Sequence, residues 1–257
     1  MNQSKFLDDL SNNGYFIYEN MLDNSTVESL KGDCVKWIDI CGEYQENAGL
    51  TKDQTAHHSV GGKGAIDNLL HSHIFDPIVS SYFDKKKYIL HACNPVLGPP
   101  AADSYLHKIH RDIQTFFPNV NMRINVLVAL DDFTLENGAT EILPSSHKVS
   151  STPSKRAFNS KKISLCMPKG SVVFFNSYLW HRAGVNLTDK NRVALTLSYG
   201  LSFIKPQLDY ARMLGDEAGR DFSDISRQVF GYNARVPVSL TEWYQKPESR
   251  FYHSDQG

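Results

Sequence analysis

The sequence predicts a mainly β protein with flanking helices, in which short antiparallel strands form a sandwich or jelly roll. Short apolar segments recur from residue 88 onward, and Gly, Pro and Asn separate them, which is typical of such folds. The chain has 257 residues with 41% apolar side chains, enough to bury one large core. We therefore expect a single domain over residues 1–257, with its β core at about 88–200.

Helical patterns precede the β-rich part of the chain. Residues 4–12 predict a short helix that Gly14 ends, and residues 15–18 predict a strand. Ser25 and Glu28 have the spacing of a capping box, which predicts the start of a second helix. Apolar residues then recur three or four positions apart, as one buried helix face requires: Val27, Leu30, Cys34, Trp37 and Cys41.

Seven segments with β character follow: 88–92, 105–113, 122–130, 139–143, 163–166, 171–175 and 193–200. Two polar segments interrupt the pattern, a Gly- and His-bearing stretch at 43–65 and a basic, Ser-rich stretch at 145–162. We predict that both are long loops, and loops of this length in compact domains are usually lids or binding segments. We call them the first and the second lid.

Composition excludes some partners. The formal net charge is -1, so no strong positive field attracts nucleic acid. No apolar run approaches the ~18 residues of a membrane helix, and residues 1–14 lack the basic-then-apolar pattern of a secretion signal, so we do not expect export. The four cysteines have no CxxC spacing and are expected to be reduced and mostly buried, in a cytoplasmic protein.

The segment HKIHRDIQTF, residues 107–116, carries the first chemical signal. On a strand, residues two apart point to the same face, so His110 and Asp112 are expected to project together while Arg111 points away. An imidazole beside a carboxylate forms two thirds of a facial triad that binds non-haem Fe(II) and leaves positions open for a co-substrate and dioxygen. A second HxD at His253 and Asp255 has no later histidine to complete a site, and we interpret it as accidental.

Residues 170–199 contain a candidate third metal ligand and a candidate carboxylate-binding arginine. Residues 170–199 predict a strand after Gly170, then His181 near a turn, then a further strand that begins at Arg192. A third ligand at His181 would close the iron site. Arg192 could bind the far carboxylate of 2-oxoglutarate, because the guanidinium group matches a carboxylate with two parallel hydrogen bonds.

These blocks together resemble the phytanoyl-CoA dioxygenase family of Fe(II)/2-oxoglutarate-dependent oxygenases. The resemblance rests on His110-Arg111-Asp112, on LDDFTLENGATEILPSSHK at 130–148, and on GSVVFFNSYLWHRAGVNLTDKNR at 170–192, in that order and at suitable separations. It covers about residues 14–200. One departure is Ser145, where the family usually has a turn glycine.

The resemblance implies a double-stranded β-helix core, the cupin-like jelly roll. It implies Fe(II) at His110, Asp112 and His181, and 2-oxoglutarate at Arg192. The implied reaction hydroxylates an unactivated C–H bond of a small molecule with dioxygen and releases succinate and CO2. A carboxylate at 112 favours hydroxylation, because related halogenases have a small residue there.

The sequence leaves more than one role open for several residues. Asn125 interrupts an apolar strand, and its amide either contacts the co-substrate or substrate or makes a structural hydrogen bond. We interpret Asn137-Gly138 as a turn and His147 as structural. His57 and His58 lie in the first lid and would be able to touch substrate. The basic residues of the second lid are either solvated or attract an anionic substrate.

Two other functions fit the same fold. A catalytically silent jelly-roll binding protein would be free to lose its iron ligands, and a cupin-type isomerase would need neither Arg192 nor dioxygen. The sequence does not identify the substrate, since one fold serves many substrates. The polar, His- and Lys-bearing lids favour a polar or anionic metabolite.

Overall fold

The computed structural model describes residues 3–100 and 107–256. Its α-helices are α1 (Gln3–Asn13), α2 (Asn24–Asn47), α3 (Ala65–Ser72), α4 (Asp76–Tyr82), α5 (Lys155–Lys161), α6 (Tyr210–Leu214), α7 (Asp216–Arg220), α8 (Asp224–Val229) and α9 (Leu240–Trp243). Its strands are β1 (Tyr15–Tyr18), β2 (Tyr88–Gly98), β3 (Arg123–Ala129), β4 (Glu141–Ile142), β5 (Ile163–Ser164), β6 (Val172–Asn176), β7 (His181–Arg182) and β8 (Arg192–Leu201).

Two antiparallel sheets form the β core. The main sheet has the strand order β1-β6-β3-β8-β2, and the smaller sheet has the order β5-β4-β7. Strands that are distant in the sequence lie side by side in both sheets, as a jelly roll requires. The predicted mainly β fold with flanking helices is thereby confirmed.

The two faces of the main sheet pack against different partners. Its outer face packs against the helices and includes Ile124, Val126 and Leu195, all fully buried. Its inner face lies toward the smaller sheet, where Leu127 and Ala194 pack with residues such as Ile142. Because side chains alternate along a strand, polar residues at 123, 125, 192, 196 and 198 also belong to the inner face.

The second predicted helix forms, but its cap differs from the prediction. Asp23 is the N-cap, and its carboxylate accepts a hydrogen bond from the Thr26 backbone N–H at 2.8 Å. The Ser25 hydroxyl donates to the same carboxylate instead of capping the helix. An Asp two residues earlier outcompetes the serine because its charged side chain reaches a free N–H directly.

Both predicted lids contain helix. Helix α2 continues to Asn47, so the first irregular segment starts five residues later than predicted. Residues 54–59 then line the edge of β2, where Leu97 N–H donates to Gln54 and Ala56 N–H donates to Pro95. In the second lid, Ser154 caps α5, because its hydroxyl accepts from Ala157 N–H.

The turn at Ser145 explains how a serine replaces the expected glycine. Ser145 adopts the left-handed conformation with φ +62°, which an L-residue tolerates poorly. Its hydroxyl donates to the Asn12 carbonyl and its N–H donates to the Asn13 carbonyl, both at 2.8 Å. These bonds offset the strain and tie the turn to the end of α1.

The turn predicted at Asn137-Gly138 forms, whereas the strand predicted at 88–92 continues through Asn94 and Pro95 to Gly98. Gly138 has φ +76°, and a side chain there would meet the Gly184 carbonyl, so the Asn137-Gly138 turn is confirmed. All four cysteines are free, but only Cys34 and Cys93 are buried, and Cys166 is exposed. No helix in the described residues has the length and apolar character to cross a membrane.

Candidate metal centre

Three side chains from separate parts of the chain meet at one end of the inner face. His110, Asp112 and His181 each offer a ligand atom, and these atoms lie within 4.8 Å of one another. The Asp112 Oδ1 atom is 3.8 Å from His110 Nε2 and 3.9 Å from His181 Nε2. Two imidazoles and one carboxylate at this spacing match the facial triad of non-haem iron enzymes.

Backbone hydrogen bonds bring the three ligands together. His110 and His181 form an isolated antiparallel bridge, in which each N–H donates to the other's carbonyl at 3.0 and 2.9 Å. The Asp112 N–H donates to the Ser177 carbonyl at 3.1 Å. The segment that holds His110 therefore docks on the segment that holds His181.

The predicted strand 105–113 is wrong in its described part. Residues 107–113 form no regular strand beyond the single bridge at His110, and residues 105 and 106 lie outside the described residues. The backbone bends at Asp112, and the guanidinium group of the preceding Arg111 donates to the Gln114 carbonyl at 2.7 Å. Arg111 still points away from the ligands, as predicted, and lies against the rings of Phe116 and Trp180.

Both histidines present the nitrogen that a metal needs. The Nδ1 atom of His110 donates to the Lys108 carbonyl at 2.8 Å, and that of His181 donates to the Leu179 carbonyl at 2.9 Å. Each Nε2 atom is thereby left unprotonated in the neutral ring and faces Asp112. Burial lowers the pKa of His181, although Asp112 and the hydrogen bond to the Leu179 carbonyl oppose that shift. The donor set thus fits a divalent cation.

Asn125 has a partner that the sequence did not predict. Its side-chain amide donates to Asp112 Oδ2, while the other carboxylate oxygen faces the histidines. Asn125 is 5% exposed, so this buried donor holds one oxygen of the partly exposed Asp112 carboxylate in a fixed orientation. The contact is of the outer-shell kind that orients a metal ligand.

Arg192 lies at the other end of the inner face as a buried charge that forms no salt bridge with any carboxylate of the described residues. Its guanidinium group stacks on the Phe133 ring at 4.3 Å and donates to the Gly138 carbonyl. Nearby Asp131 is committed to Lys31 and to the Val193 N–H. Burial lowers the pKa of Arg192 to about 10, and its Nε atom has no partner in the described part of the chain. A carboxylate from a ligand would satisfy it.

The remaining candidates have structural partners. The His58 Nδ1 atom lies 2.8 Å from the Tyr210 hydroxyl, whereas His57 is exposed. His147 lies 3.2 Å from the Ser11 carbonyl, which supports its structural interpretation. In the tail, Asp255 forms an ion pair with Lys87 at 3.4 Å, in agreement with the accidental nature of the second HxD.

Sequence reasoning missed a polar group beside the triad. Arg123 starts β3 two residues before Asn125, and its guanidinium group donates twice to the Ser198 hydroxyl. His91 lies next to it, at an irregularity in the pairing of β2 with β8. Alternation along β3 was a signal for Arg123, because Arg123 shares a face with Asn125. No signal marked His91, since its register depends on a β-bulge.

Comparison with known proteins gives a consistent family signal. The model of the family described as phytanoyl-CoA dioxygenase matches residues 10–194. An uncharacterised protein of Mycobacterium tuberculosis is 32% identical over 174 residues, which cover 66% of this chain and 64% of that protein. A dioxygenase of Talaromyces verruculosus is 27% identical over 73% of this chain and 69% of its own length.

Solved structures support the fold. AviO1 from Streptomyces viridochromogenes superposes with a TM-score of 0.63 at 19% identity, covering 80% of this chain and 97% of that one. SnoN, described as a non-haem α-ketoglutarate-dependent epimerase from nogalamycin biosynthesis, superposes with a TM-score of 0.59 at 17% identity, covering 77% and 81%. The chain spans slightly less than two thirds of the mycobacterial relative's length.

Proposed function

This chain belongs to the phytanoyl-CoA dioxygenase family, and on that premise we propose that it is an Fe(II)- and 2-oxoglutarate-dependent dioxygenase. The proposed reaction converts a C–H bond of a small molecule to C–OH and turns 2-oxoglutarate and dioxygen into succinate and CO2. The observation that carries the proposal is the convergence of His110, Asp112 and His181 within 4.8 Å. We keep the cytoplasm as the expected compartment.

Each group of residues in the site has a separate role in the proposed reaction. Iron held by the triad would supply the activation of dioxygen, coupled to decarboxylation of 2-oxoglutarate. Asn125 fixes the orientation of Asp112, and the Leu179 and Lys108 carbonyls fix the histidine rings. Arg192 would bind the far carboxylate of 2-oxoglutarate and hold its other end toward the triad.

The burial of Arg192 supports its role in this scheme. A guanidinium group at 4% exposure whose hydrogen-bond partner among the described residues is the neutral Gly138 carbonyl is costly, and a carboxylate from a ligand would supply its counter-charge. A silent binding protein or a cupin-type isomerase has no need of a buried cation at this position. The charge therefore favours a dicarboxylate co-substrate over both alternatives.

A stability measurement tests the two binding roles together. We expect Mn(II) and 2-oxoglutarate, added under nitrogen, to stabilise the protein by about 2.7 kcal/mol at 100 times the dissociation constant. Arg192→Gln should lose the increment from 2-oxoglutarate but keep that from metal. Arg220→Gln removes the same charge from a side chain that is 70% exposed, and it should keep both increments.

Turnover tests the chemistry. Protein reconstituted with Fe(II) should release succinate from 2-oxoglutarate in air and none under nitrogen. Product mass then separates the reactions, because hydroxylation adds one oxygen atom while epimerisation leaves the mass unchanged. If the wild-type protein neither gains stability from 2-oxoglutarate nor forms succinate, the proposal is wrong.

A further inference from the structure

We propose that Arg123 binds an oxyanion group of the primary substrate, a carboxylate or a phosphate, beside the metal centre. The inference rests on the proposed function, because it assigns the substrate class of the same site. The inner face of the main sheet then carries one cation for each acidic ligand. Arg192 would bind the co-substrate at one end, and Arg123 would bind the substrate at the other.

Arg123 lies beside the proposed metal centre. Arg123 precedes Asn125 by two residues on β3, so both side chains project from the inner face about 7 Å apart. Asn125 donates to the metal ligand Asp112, and Ser198 lies directly opposite Asn125 on β8. A group bound at Arg123 would therefore lie next to the triad, within the reach of a small molecule whose C–H bond faces the metal.

The unpaired charge is the second argument. The Nε and Nη2 atoms of Arg123 donate to the Ser198 hydroxyl at 3.0 and 2.7 Å, a neutral partner. Asp112 is the acidic group that acts on Arg123 electrostatically, but its oxygens face Asn125 and the histidines. Across residues 3–100 and 107–256, no carboxylate forms a salt bridge with Arg123. A mostly buried cation in this state would gain from an added oxyanion.

His91 supplies the third argument. It is 4% exposed, and its Nε2 atom has no hydrogen-bond partner among the described residues. A side chain added to Gly200 would meet His91 Nε2 at 2.6 Å and Arg123 Cγ at 3.0 Å. The two side chains thus meet above a glycine, and a buried polar atom without a partner adjoins the side chain of Arg123. Because the Leu201 carbonyl accepts from the other ring nitrogen, Nε2 is an acceptor, so a ligand whose oxyanion binds Arg123 and which also carries a hydroxyl donor would satisfy both groups.

A purely structural role for Arg123 predicts a different outcome. If Arg123 only offset the charge of Asp112, its removal would change metal affinity and leave no preference for acidic ligands to lose. If Arg123 binds substrate, its removal abolishes that preference while metal and 2-oxoglutarate still bind. The two roles are therefore separated by comparing acids with their neutral amides.

The test uses the full chain loaded with Mn(II) and saturating 2-oxoglutarate, so that the Arg192 site is filled. Benzoate, phenyl phosphate and benzamide are titrated by calorimetry as probes of the same ring with different charge. We expect at least one acid to bind the wild-type protein about tenfold or more tighter than benzamide, the range of a charge-assisted hydrogen bond. Arg123→Gln should remove that preference, Arg123→Lys should keep part of it, and Arg220→Gln should keep all of it.

Two results would overturn the inference. The first is equal binding of the acids and benzamide to the wild-type protein, and the second is an undiminished preference in Arg123→Gln. If Arg123→Gln does not fold, Ser198→Ala replaces it, and an unchanged preference there and in Arg123→Lys counts against the inference. The affinity for 2-oxoglutarate is measured in each protein. If 2-oxoglutarate does not bind the wild-type protein, the proposed function itself is refuted. If it does bind, a negative result refutes only the inference about Arg123.

Discussion

The two faces of the main sheet come from the same strands but differ in chemistry. On β3, the outer residues Ile124, Val126 and Val128 are fully buried against the helices. The inner residues alternate with them and include Arg123 and Asn125 at the metal end. Strand β8 repeats the pattern, with apolar residues outside and Arg192, Thr196 and Ser198 inside. One face thus holds the sheet in place while the other positions polar groups.

This division has a physical cause. Apolar contacts are non-directional, so the outer face tolerates many combinations of residues that fill the same volume. Hydrogen bonds to ligands require fixed atoms, and each buried polar group without a partner is costly. The inner face therefore places its unpaired groups where a metal, a co-substrate or a substrate would satisfy them. Substitutions on the two faces should separate activity from stability.

The largest expected effect is on the inner side. Asp112→Ala removes the only carboxylate of the triad, so metal affinity should fall by more than the roughly 100-fold that loss of an outer-shell partner costs. Succinate formation should drop to background. The side chain is 29% exposed, so unfolding by urea should change by only about 0.5 kcal/mol.

Asp8→Ala is the matched control, because it removes an exposed carboxylate from α1. It should leave metal affinity and turnover at wild-type values. Wild-type turnover in Asp112→Ala would mean that the carboxylate is not a ligand, and the assignment of the site would have to be abandoned.

The next effect is on the outer face. Leu195→Ala truncates a fully buried side chain of β8 and should lower the free energy of unfolding by about 2–5 kcal/mol. The folded fraction should bind 2-oxoglutarate within about twofold of the wild-type affinity, because Leu195 points away from Arg192. Urea unfolding and calorimetry at low temperature measure the two quantities.

Leu187→Ala provides the comparison, since this leucine is 75% exposed and should change stability by no more than about 0.5 kcal/mol. A large loss of 2-oxoglutarate affinity in folded Leu195→Ala would show that the two faces are coupled, contrary to the division described above.

A smaller effect is expected at Asn125, which contacts a proposed metal ligand but is not itself a ligand. Asn125→Ala removes the donor to Asp112 Oδ2 and should weaken metal binding by about 10- to 100-fold. The carboxylate remains available, so turnover should recover at high metal concentration, unlike in Asp112→Ala. Asn68→Ala, on an exposed position of α3, should have no effect on metal affinity. Turnover that stays low at saturating metal would assign Asn125 a role beyond orienting the ligand.

The sequence predicted the fold and the triad for different reasons. Strand alternation and turn residues predicted most strands of the core, and β1, β3, β6 and β8 lie within about a residue of their expected bounds. The segment at 107–113 was predicted as a strand from its pattern, but it forms one bridge and a bend, because its partners are the carbonyls of His181 and Ser177. Those partners are distant in the sequence, so local pattern could not reveal them.

The grouping around Arg123 illustrates the same limit. Its neighbour His91 enters the site only because the pairing of β2 with β8 shifts between Leu90 and Ala92. A β-bulge changes which face of the sheet a side chain points to, so simple alternation assigns that side chain to the wrong face. No residue type in the local sequence indicates the bulge. Residue identity was sufficient to propose the metal ligands, because their chemistry is specific. It was insufficient for Arg123 and His91, because their roles depend on neighbouring residues from other strands.

The smallest expected effect concerns that histidine. Burial, assisted by Arg123, lowers the pKa of His91 to about 3, while an unfolded chain has a value near 6.5. The unfolded state therefore takes up a proton first as the pH falls, so the stability linked to neutral His91 is present above about pH 6.5 and is lost below it. Between pH 7.0 and 5.5, wild-type protein should lose roughly 1.3 kcal/mol more than His91→Gln in urea unfolding.

Measurements at pH 8.0 and 7.0 serve as the internal control, because His91 is neutral in both states there and the two proteins should lose or gain stability in parallel. Parallel curves down to pH 5.5 would mean that His91 takes up a proton in the folded protein, and therefore that the inner face accommodates a second positive charge beside Arg123. A steeper loss of stability in the wild type means instead that His91 stays neutral in the folded protein, so that Arg123 supplies the positive charge of the Arg123–His91 pair. In that case an acidic ligand has one cation to bind, and its affinity should depend on Arg123 and not on pH in this range.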